Sequence, residues 1–203
     1  MAQKEFPVRI LRRFIETLAD EIGQDAFSAV LSKADLPREW ANPGRLSALN
    51  DAQAAEEYAS LQSALRKYYG RGARGILLRI GANLWGRLLN DSSFGIKAQA
   101  SLLRGLPKSF RRKQALDLLA RVLGAKRGDI TVHTLDLDLL LVDQASPAAL
   151  NQSDEAPVCF VTHGLIRECL FWATGEEHDI EERACCAAGA RQCEFKITLG
   201  GRP

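Results

Sequence analysis

The hydrophobic and polar positions follow two different periods along the chain. Up to residue 123, apolar residues recur every three or four positions, which predicts a succession of amphipathic helices. Asn50 and Gln53 form the pattern of a capping box, and the helix that it starts runs as far as Gly70. The other predicted helices are residues 8–22, a short helix between Asp25 and Pro37, and residues 73–89, 91–104 and 108–123.

Beyond residue 128 the pattern changes to an alternation with period two, which is typical of strands. One long strand is predicted at residues 129–143, with His133 on the same apolar face as the leucines at odd-numbered positions. A polar loop at 145–156 and an apolar helix ending at Gly175 come next. The chain is completed by a predicted strand at 178–186, a turn at 187–191 and a strand that begins at Cys193.

Composition narrows the classes of function. The 203 residues carry a net charge of +2 and 46% of them are hydrophobic, so a core of ordinary size is available and a dedicated nucleic-acid binder is not indicated. No run approaches the roughly 18 apolar residues of a membrane span, and the first residues lack the apolar core of a signal peptide. Five cysteines without an export signal favour a reducing cytoplasm.

Common catalytic signatures are missing from the sequence. It contains no glycine-rich phosphate loop, no G-x-S-x-G motif and no H-E-x-x-H motif. The residues therefore indicate a binding module more than an enzyme.

All five cysteines lie between residues 157 and 197, and three of them stand where the predicted elements meet. Cys185 and Cys193 flank the predicted hairpin turn, and Cys159 stands at the entrance of the preceding helix. Zinc takes four ligands from cysteine, histidine and carboxylate side chains. From spacing alone three interpretations stay open: a zinc site, buried thiols that act as small hydrophobes, or a disulfide between Cys185 and Cys193. Cys169 has the helical spacing of a core residue.

The same stretch resembles the 4-vinyl reductase domain family, whose members are predicted hydrocarbon-binding domains. The matching residues are Gly164, Thr174-Gly175, Glu182-x-x-Cys185, Gly189 and Cys193-Glu194-Phe195. The family includes sensor domains of phenol-responsive transcription activators, which carry a structural zinc held by Pro-x-Cys, Glu-x-x-Cys and a later cysteine. Pro157 precedes Cys159 with the same spacing. The resemblance therefore implies a structural zinc bound by Cys159, Glu182, Cys185 and Cys193.

A geometric condition comes with this ligand set. Residues three apart on a regular strand face opposite sides, so Glu182 and Cys185 reach one metal only if a bulge or bend separates them. In an unbroken strand, Glu181 would be the carboxylate that shares a face with Cys185. His163 is a further alternative, because it lies one helical turn after Cys159.

The signals for a ligand pocket are weaker. The helix predicted at 73–89 contains Trp85 and three interior glycines, each of which costs roughly 1 kcal/mol relative to alanine. The glycines indicate either close packing or room for a ligand beside Trp85, and in the family this helix borders the ligand cavity. His133 is either a core side chain or the one polar group of an apolar pocket. The candidate ligand-binding residues are Trp85, Phe110, His133 and Trp172.

Pattern and resemblance together predict an α+β fold in which helices cover one face of an antiparallel sheet of four or five strands. Residues 1–50 are predicted to form an N-terminal helical region that pairs two subunits into a homodimer. Residues 51–203 are predicted to form the ligand-binding domain, and within it a zinc-binding unit at 157–197 ties the last helix to the hairpin.

The predicted function is the binding of a hydrophobic small molecule (a hydrocarbon, an aromatic compound or a tetrapyrrole) by a cytoplasmic protein with a structural zinc. No direct nucleic-acid partner and no membrane span are expected. One alternative is an enzyme or accessory protein in the vinyl reduction of chlorophyll-type tetrapyrroles. The other is an adaptor without a ligand, since vesicle-tethering subunits share the fold. A filled cavity with a large exposed apolar patch would favour the adaptor.

Overall fold

The computed structural model describes residues 5–41, 43–124 and 126–199. Up to residue 123, the regular structure is helical. Asn50 Oδ1 accepts hydrogen bonds from the N–H groups of Ala52 and Gln53, and the Gln53 side chain accepts one from the Asn50 N–H, which confirms the predicted capping box. The helices that precede the sheet are α1 (Val8–Ile22), α2 (Gln24–Lys33), α3 (Asp51–Tyr69), α4 (Ala73–Asn90), α5 (Phe94–Leu103) and α6 (Lys108–Leu123).

A four-stranded antiparallel sheet and one further helix complete the fold. The helix α7 (Phe160–Thr174) follows the second strand in sequence and packs against α4 and α6. The sheet has the order β1-β2-β4-β3, in which the strands are β1 (Ile130–Leu135), β2 (Asp138–Asp143), β3 (Asp179–Ala184) and β4 (Cys193–Thr198). The α+β class and the antiparallel sheet are thereby confirmed.

The single strand predicted at residues 129–143 is wrong, because the segment is a hairpin. Asp136 has a φ of 52°, in the left-handed region that aspartate tolerates better than most residues. Together with Leu137 it forms a two-residue turn, after which Leu135 pairs with Asp138. The turn contains neither glycine nor asparagine, so the sequence does not mark it.

This turn also decides which side chains of β1 point to which face of the sheet. A two-residue turn shifts the alternation by one position, so even-numbered residues of β1 share a face with odd-numbered residues of β2. Val132 accordingly stands opposite Leu141, which is buried. His133 stands opposite Leu140, on the other face of the sheet. The prediction that His133 shares an apolar face with the later leucines is therefore wrong.

The contact between α4 and α7 explains one of the three interior glycines. A Cβ at Gly81 would lie 2.2 Å from the carbonyl oxygen of Val161, and a Cβ at Gly164 would lie 2.2 Å from that of Leu78. The two backbones touch, so close packing is the reason for Gly81. A Cβ at Gly86 would meet nothing within 4 Å, and nothing in the structure explains that glycine.

One hydrophobic core joins the N-terminal helices to the sheet, extending from Phe6 to Ile197. The apolar stripe of α1, which includes Leu11, Phe14 and Leu18, is fully buried inside the chain. The domain division after residue 50 stays a prediction. None of the described helices has the length and apolarity needed to cross a membrane.

Candidate metal centre and interior cavity

Four potential metal ligands meet between the start of α7 and the β3–β4 hairpin. Cys159 immediately precedes α7, Glu182 lies in β3, Cys185 follows β3 and Cys193 begins β4. The three thiols are buried and the carboxyl group is half-buried. One ligand atom from each residue lies within 4.8 Å of every other. The structure thus brings together all four residues that the family resemblance implies.

A bulge in β3 lets Glu182 and Cys185 point to the same place. Glu182 pairs with Phe195, whereas Ala184 pairs with Glu194, so Arg183 is an extra residue without a counterpart in β4. Such a residue bends the strand and re-aims the side chains beside it. The bulge that Glu182 and Cys185 need in order to reach one metal is therefore present. Glu181, the alternative carboxylate, is exposed.

The sulfur atoms have the spacing of a zinc site. The Sγ–Sγ distances are 3.8 Å from Cys159 to Cys185, 3.6 Å from Cys159 to Cys193 and 3.9 Å from Cys185 to Cys193. Zinc–sulfur bonds of about 2.3 Å give a tetrahedron an edge of about 3.8 Å. A disulfide needs about 2.05 Å, and all five cysteines are free. The cluster therefore fits three corners of a metal tetrahedron.

Glu182 fits the fourth corner. Its Oε2 accepts a hydrogen bond of 3.2 Å from the Cys159 N–H, whereas its Oε1 is buried and has no partner among the described residues. Burial, followed by the charge on Cys185, raises the pKa of Glu182 to about 8. A buried carboxylate without a cation is costly. A divalent metal would give Oε1 its partner and keep the group ionised.

Polar groups around Cys193 hold its sulfur in place. Ser146 Oγ lies 2.8 Å from Cys193 Sγ, and the Cys186 N–H donates to the same sulfur at 3.2 Å. The Ser146 N–H in turn donates to Asp143 Oδ1 at 2.6 Å. Such contacts orient metal ligands and tune their basicity. His163 is half-buried and lies in a groove beside Glu182, outside the four-residue group.

A narrow interior cavity lies on the far side of Asp143. Its volume is about 20 Å³, enough for about one water molecule. The ring of Phe6 lines it and stacks on Tyr58, with ring centroids 4.3 Å apart. The side chains that line it are mainly apolar and come from Phe6, Ile10, Tyr58, Leu123, Ile130 and Leu165, with Asp143 and Thr162 among the polar ones.

The four residues predicted to bind a ligand do not form one pocket. Trp85 and Trp172 pack edge to face, with ring centroids 5.7 Å apart, and Arg104 lies over Trp172. Phe110 is 66% exposed and His133 is exposed as well. None of the four lines the cavity. Their role in ligand binding stays a prediction.

The two exposed residues have physical reasons for their positions. The two-residue turn described above places His133 on the outer face of the sheet, where its Nε2 lies 2.9 Å from Thr131 Oγ1. In α6 the buried stripe starts at Ala115. One turn earlier, the side facing α7 is taken by Arg111 and Arg112, which bond to Ala173 and Glu176 and leave Phe110 in solvent.

Sequence reasoning missed the residues that line the cavity. Tyr58 belongs to the apolar stripe of α3, a pattern that gives no sign of a cavity. The sequence does carry a signal for Asp143, because it is an acidic residue at the end of an apolar strand. It is only 4% exposed.

The C-terminal part of the chain matches a known family. The family model of the 4-vinyl reductase domain matches residues 142–199. This stretch is similar to that family. The match confirms the resemblance found in the sequence, and all four cluster residues fall inside it. No curated protein matches the chain.

Solved structures show the same fold over a larger part of the chain. The phenol-responsive sensory domain of the transcription activator PoxR, solved with phenol, is 16% identical and has a TM-score of 0.50, covering 70% of this chain and 74% of that one. An H-NOX protein from S. oneidensis in the Fe(II)NO state is 14% identical with a TM-score of 0.55, covering 94% and 99%. The H-NOX protein from Shewanella woodyi is 17% identical with a TM-score of 0.53, covering 96% and 95%. At these identities the likeness concerns the fold alone.

Proposed function

We propose that this protein is a small-molecule sensor module, which binds a hydrophobic ligand in the interior cavity and a structural zinc at Cys159, Glu182, Cys185 and Cys193. The observation that carries the proposal is the meeting of the two features at one point. Asp143 lines the cavity, and through Ser146 it is joined to Cys193 by two hydrogen bonds. Two hydrogen bonds therefore connect a side chain of the cavity wall to a ligand of the metal cluster.

The zinc has a structural role in this proposal. Three thiolates and one carboxylate complete a tetrahedral set and leave no position for a water molecule, so the site is not hydrolytic. Bound zinc ties the start of α7 to the β3–β4 hairpin, which fixes one wall of the cavity. The free thiols agree with the predicted reducing, cytoplasmic setting.

An aromatic or similar apolar ligand suits the cavity wall, and the phenol-bound PoxR domain of the same fold supports that class. Apolar burial would supply affinity at about 25 cal/mol per Å², before the costs of ordering. A volume of about 20 Å³ is smaller than an aromatic ring, so the cavity widens when a ligand enters. Phe6 is the side chain that moves, because a ligand ring can replace it on Tyr58.

The interior cavity offers no histidine to a haem. One of the H-NOX structures of this fold is described with iron, and another concerns the distortion of heme. In this chain His133, His163 and His178 all lie away from the cavity lining.

The vinyl-reduction alternative lacks a supporting feature as well. Measured turnover of a vinyl tetrapyrrole by the protein with added reductant would support that alternative.

Native mass spectrometry with elemental analysis tests the proposal. The expected result is one zinc per chain and added mass when the protein is incubated with phenol or toluene. Leu165→Phe fills the cavity and should abolish ligand binding while zinc stays bound. Ile166→Phe is the matched control, because Ile166 is equally buried on α7 but does not line the cavity. A zinc-loaded protein that binds no apolar probe would contradict the ligand part.

A second candidate is an assembly role through a surface on α5 and the start of α6. Phe94, Leu102 and Phe110 are 86%, 75% and 66% exposed, and Leu106 is exposed beside them. Phe94 and Leu102 face solvent, because α5 buries only Ala100 and Leu103. We call the four exposed residues the α5 patch. Together with the small cavity, this patch favours the adaptor alternative.

We propose the α5 patch as the homodimer contact in place of the predicted N-terminal region, because the apolar stripe of α1 is already buried within one chain. Light scattering of the purified protein tests this. The expected result is a dimer that Leu102→Ser converts to a monomer, whereas Leu137→Ser, at the similarly exposed tip of the β1–β2 hairpin, leaves it unchanged. A wild-type monomer would contradict the placement.

A further inference from the structure

The two edges of the sheet are built differently. β3, at one edge, has a bulge at Arg183 and charged side chains at Asp179, Glu181 and Glu182. Bulges and charges are the means by which proteins keep an edge strand from pairing with another chain. β1, at the other edge, has the sequence ITVHTL, without a carboxylate, lysine, arginine or proline, and it pairs with β2 without a register shift. The edge of β1 is therefore open to a further strand.

The unpaired backbone groups of this edge belong to the even-numbered residues of β1. Asp129, in line with the odd-numbered residues, accepts a hydrogen bond of 2.8 Å from the N–H of Gln144, just after β2. Successive residues of an antiparallel strand point their N–H and C=O groups to opposite sides. Ile130, Val132 and Thr134 therefore point theirs away from β2, and none of these N–H groups donates to another backbone group among the described residues.

A groove of about 890 Å³ lies at this edge, between β1 and the second half of α6. We call it the β1 groove. Ala120, Ile130 and Val132 give it an apolar part, and the two strand residues are only half-buried. A strand advances about 3.3 Å per residue, so an edge as long as β1 can pair with an extended segment of about six residues.

The β1 groove has an excess of positive charge. The charged side chains that line it are those of Asp117, Arg121, Lys126 and Arg127. Asp117 is paired with Lys113, and Lys126 is paired with Glu5, both at 2.9 Å. The two arginines are exposed, and no ion pair with a described residue neutralises them. A second copy of the chain at this edge would bring the same positive charges, whereas a segment with carboxylates would complement them.

We propose that the β1 groove binds an extended acidic segment of a partner protein, which joins the sheet as a further strand beside β1. The backbone of the segment bonds to the even-numbered residues of β1, as in other cases of strand addition. Its apolar side chains contact Ile130 and Val132, and its carboxylates pair with Arg121 and Arg127. The groove shares only Gly124 and Ile130 with the lining of the interior cavity, so binding there needs no cavity ligand.

Calorimetric titration of the purified protein with two synthetic peptides of about eight residues tests the proposal. In one peptide valine alternates with glutamate, and in the other valine alternates with lysine. The glutamate peptide should bind at least about tenfold more tightly, and its binding should weaken as salt is added. Hydrogen exchange at the Val132 and Thr134 amides should slow when it binds, because both N–H groups then donate to the added strand.

Thr134→Pro removes one of these donors. Thr134 is exposed, and proline takes away its outward N–H while the hydrogen bonds to β2 remain. Binding of the glutamate peptide should weaken about tenfold, whereas Thr134→Ala, which keeps the N–H, should bind like the wild type. Arg127→Glu should weaken binding about fivefold. Arg71→Glu is its matched control, because Arg71 is exposed but does not line the groove.

Equal binding of the two peptides, or equal binding by Thr134→Pro and Thr134→Ala, would overturn the proposal. If Thr134→Pro does not fold, Arg127→Glu and the exchange of the Val132 and Thr134 amides decide, and unchanged affinity together with unchanged exchange overturns it. Slower exchange of these amides with rising protein concentration, in the absence of peptide, would identify a second copy of the chain as the occupant and would overturn the acidic partner. Loss of apolar ligand binding would leave these results unaffected, so the proposed function fails separately.

Discussion

The metal cluster and the interior cavity meet at Asp143, yet the chain builds them in opposite ways. The cluster takes all its residues from one stretch, Cys159 to Cys193, in which one helix and one hairpin fix their positions. The cavity takes its walls from α1, α3, α6, β1, β2 and α7 and from the segment before α1. A local arrangement survives changes elsewhere in the fold, whereas a cavity shared by many elements depends on how all of them pack. Perturbations should therefore separate the two.

The largest effect is expected from removing a metal ligand. Cys185→Ser should abolish stoichiometric zinc and lower the free energy of unfolding by at least about 5 kcal/mol, because structural zinc sites contribute their binding energy to folding. Elemental analysis and chemical denaturation measure both. The neighbouring Cys186→Ser is the control, since Cys186 is half-buried and lies outside the group. Equal zinc in both variants would show that the cluster is a set of buried thiols.

The next effect concerns the cavity wall. Phe6→Ala should cost about 4 kcal/mol of stability, because it removes a buried ring that stacks on Tyr58. Zinc content should stay unchanged, since Phe6 belongs to the cavity alone. Phe94→Ala, which removes an exposed ring from α5, should change stability by less than about 0.5 kcal/mol. Loss of zinc from the Phe6 variant would contradict the expectation that the cavity and the metal cluster respond independently.

The contact between α4 and α7 should affect both regions. Gly81→Val inserts a side chain where the backbones touch and should cost about 3 kcal/mol. Zinc affinity should fall as well, because α7 carries Cys159 at its start. Gly86→Ala, on the same helix in open space, should stabilise by up to about 1 kcal/mol. Thermal denaturation compares them, and equal effects would contradict the close contact.

The smallest effect lies at the end of α7 and concerns neither region. Lys108 and Arg112 hold the pKa of Glu176 down at about 2, below the ordinary value of 4.5. Because the folded-state pKa is lower, this pair stabilises the protein above pH 4.5 and loses its effect as the pH falls towards 2. The stability difference between wild type and Glu176→Gln should therefore be small and should vanish at low pH. Glu177→Gln, one residue further on, is the matched control.

The contrast also explains what could be predicted from the sequence. The spacing of Cys159, Glu182, Cys185 and Cys193, read with the family resemblance, was sufficient for the cluster, because a tetrahedral metal limits the arrangements of four nearby residues. The conflict of facing between Glu182 and Cys185 even indicated the bulge at Arg183. The helices followed from their periodicity and from the capping box at Asn50.

The cavity could not be predicted in the same way. His133 was misplaced because a two-residue turn without glycine reversed the alternation before it. Phe110 was misplaced because Arg111 and Arg112 occupy the side of α6 that faces α7. Both errors depend on contacts between elements far apart in sequence, which local patterns do not encode. The position of Asp143 between the two regions depends on such contacts as well, so the local pattern does not predict it.

X-ray absorption at the zinc edge of the zinc-loaded protein tests the central claim most directly. The account predicts three sulfur neighbours at about 2.3 Å and one oxygen neighbour at about 2.0 Å, from Cys159, Cys185, Cys193 and Glu182. Four sulfur neighbours would bring Cys186 into the site, and a nitrogen neighbour would bring in His163. Either result, or a folded protein that takes up no zinc, would contradict the ligand set on which the account of this fold depends.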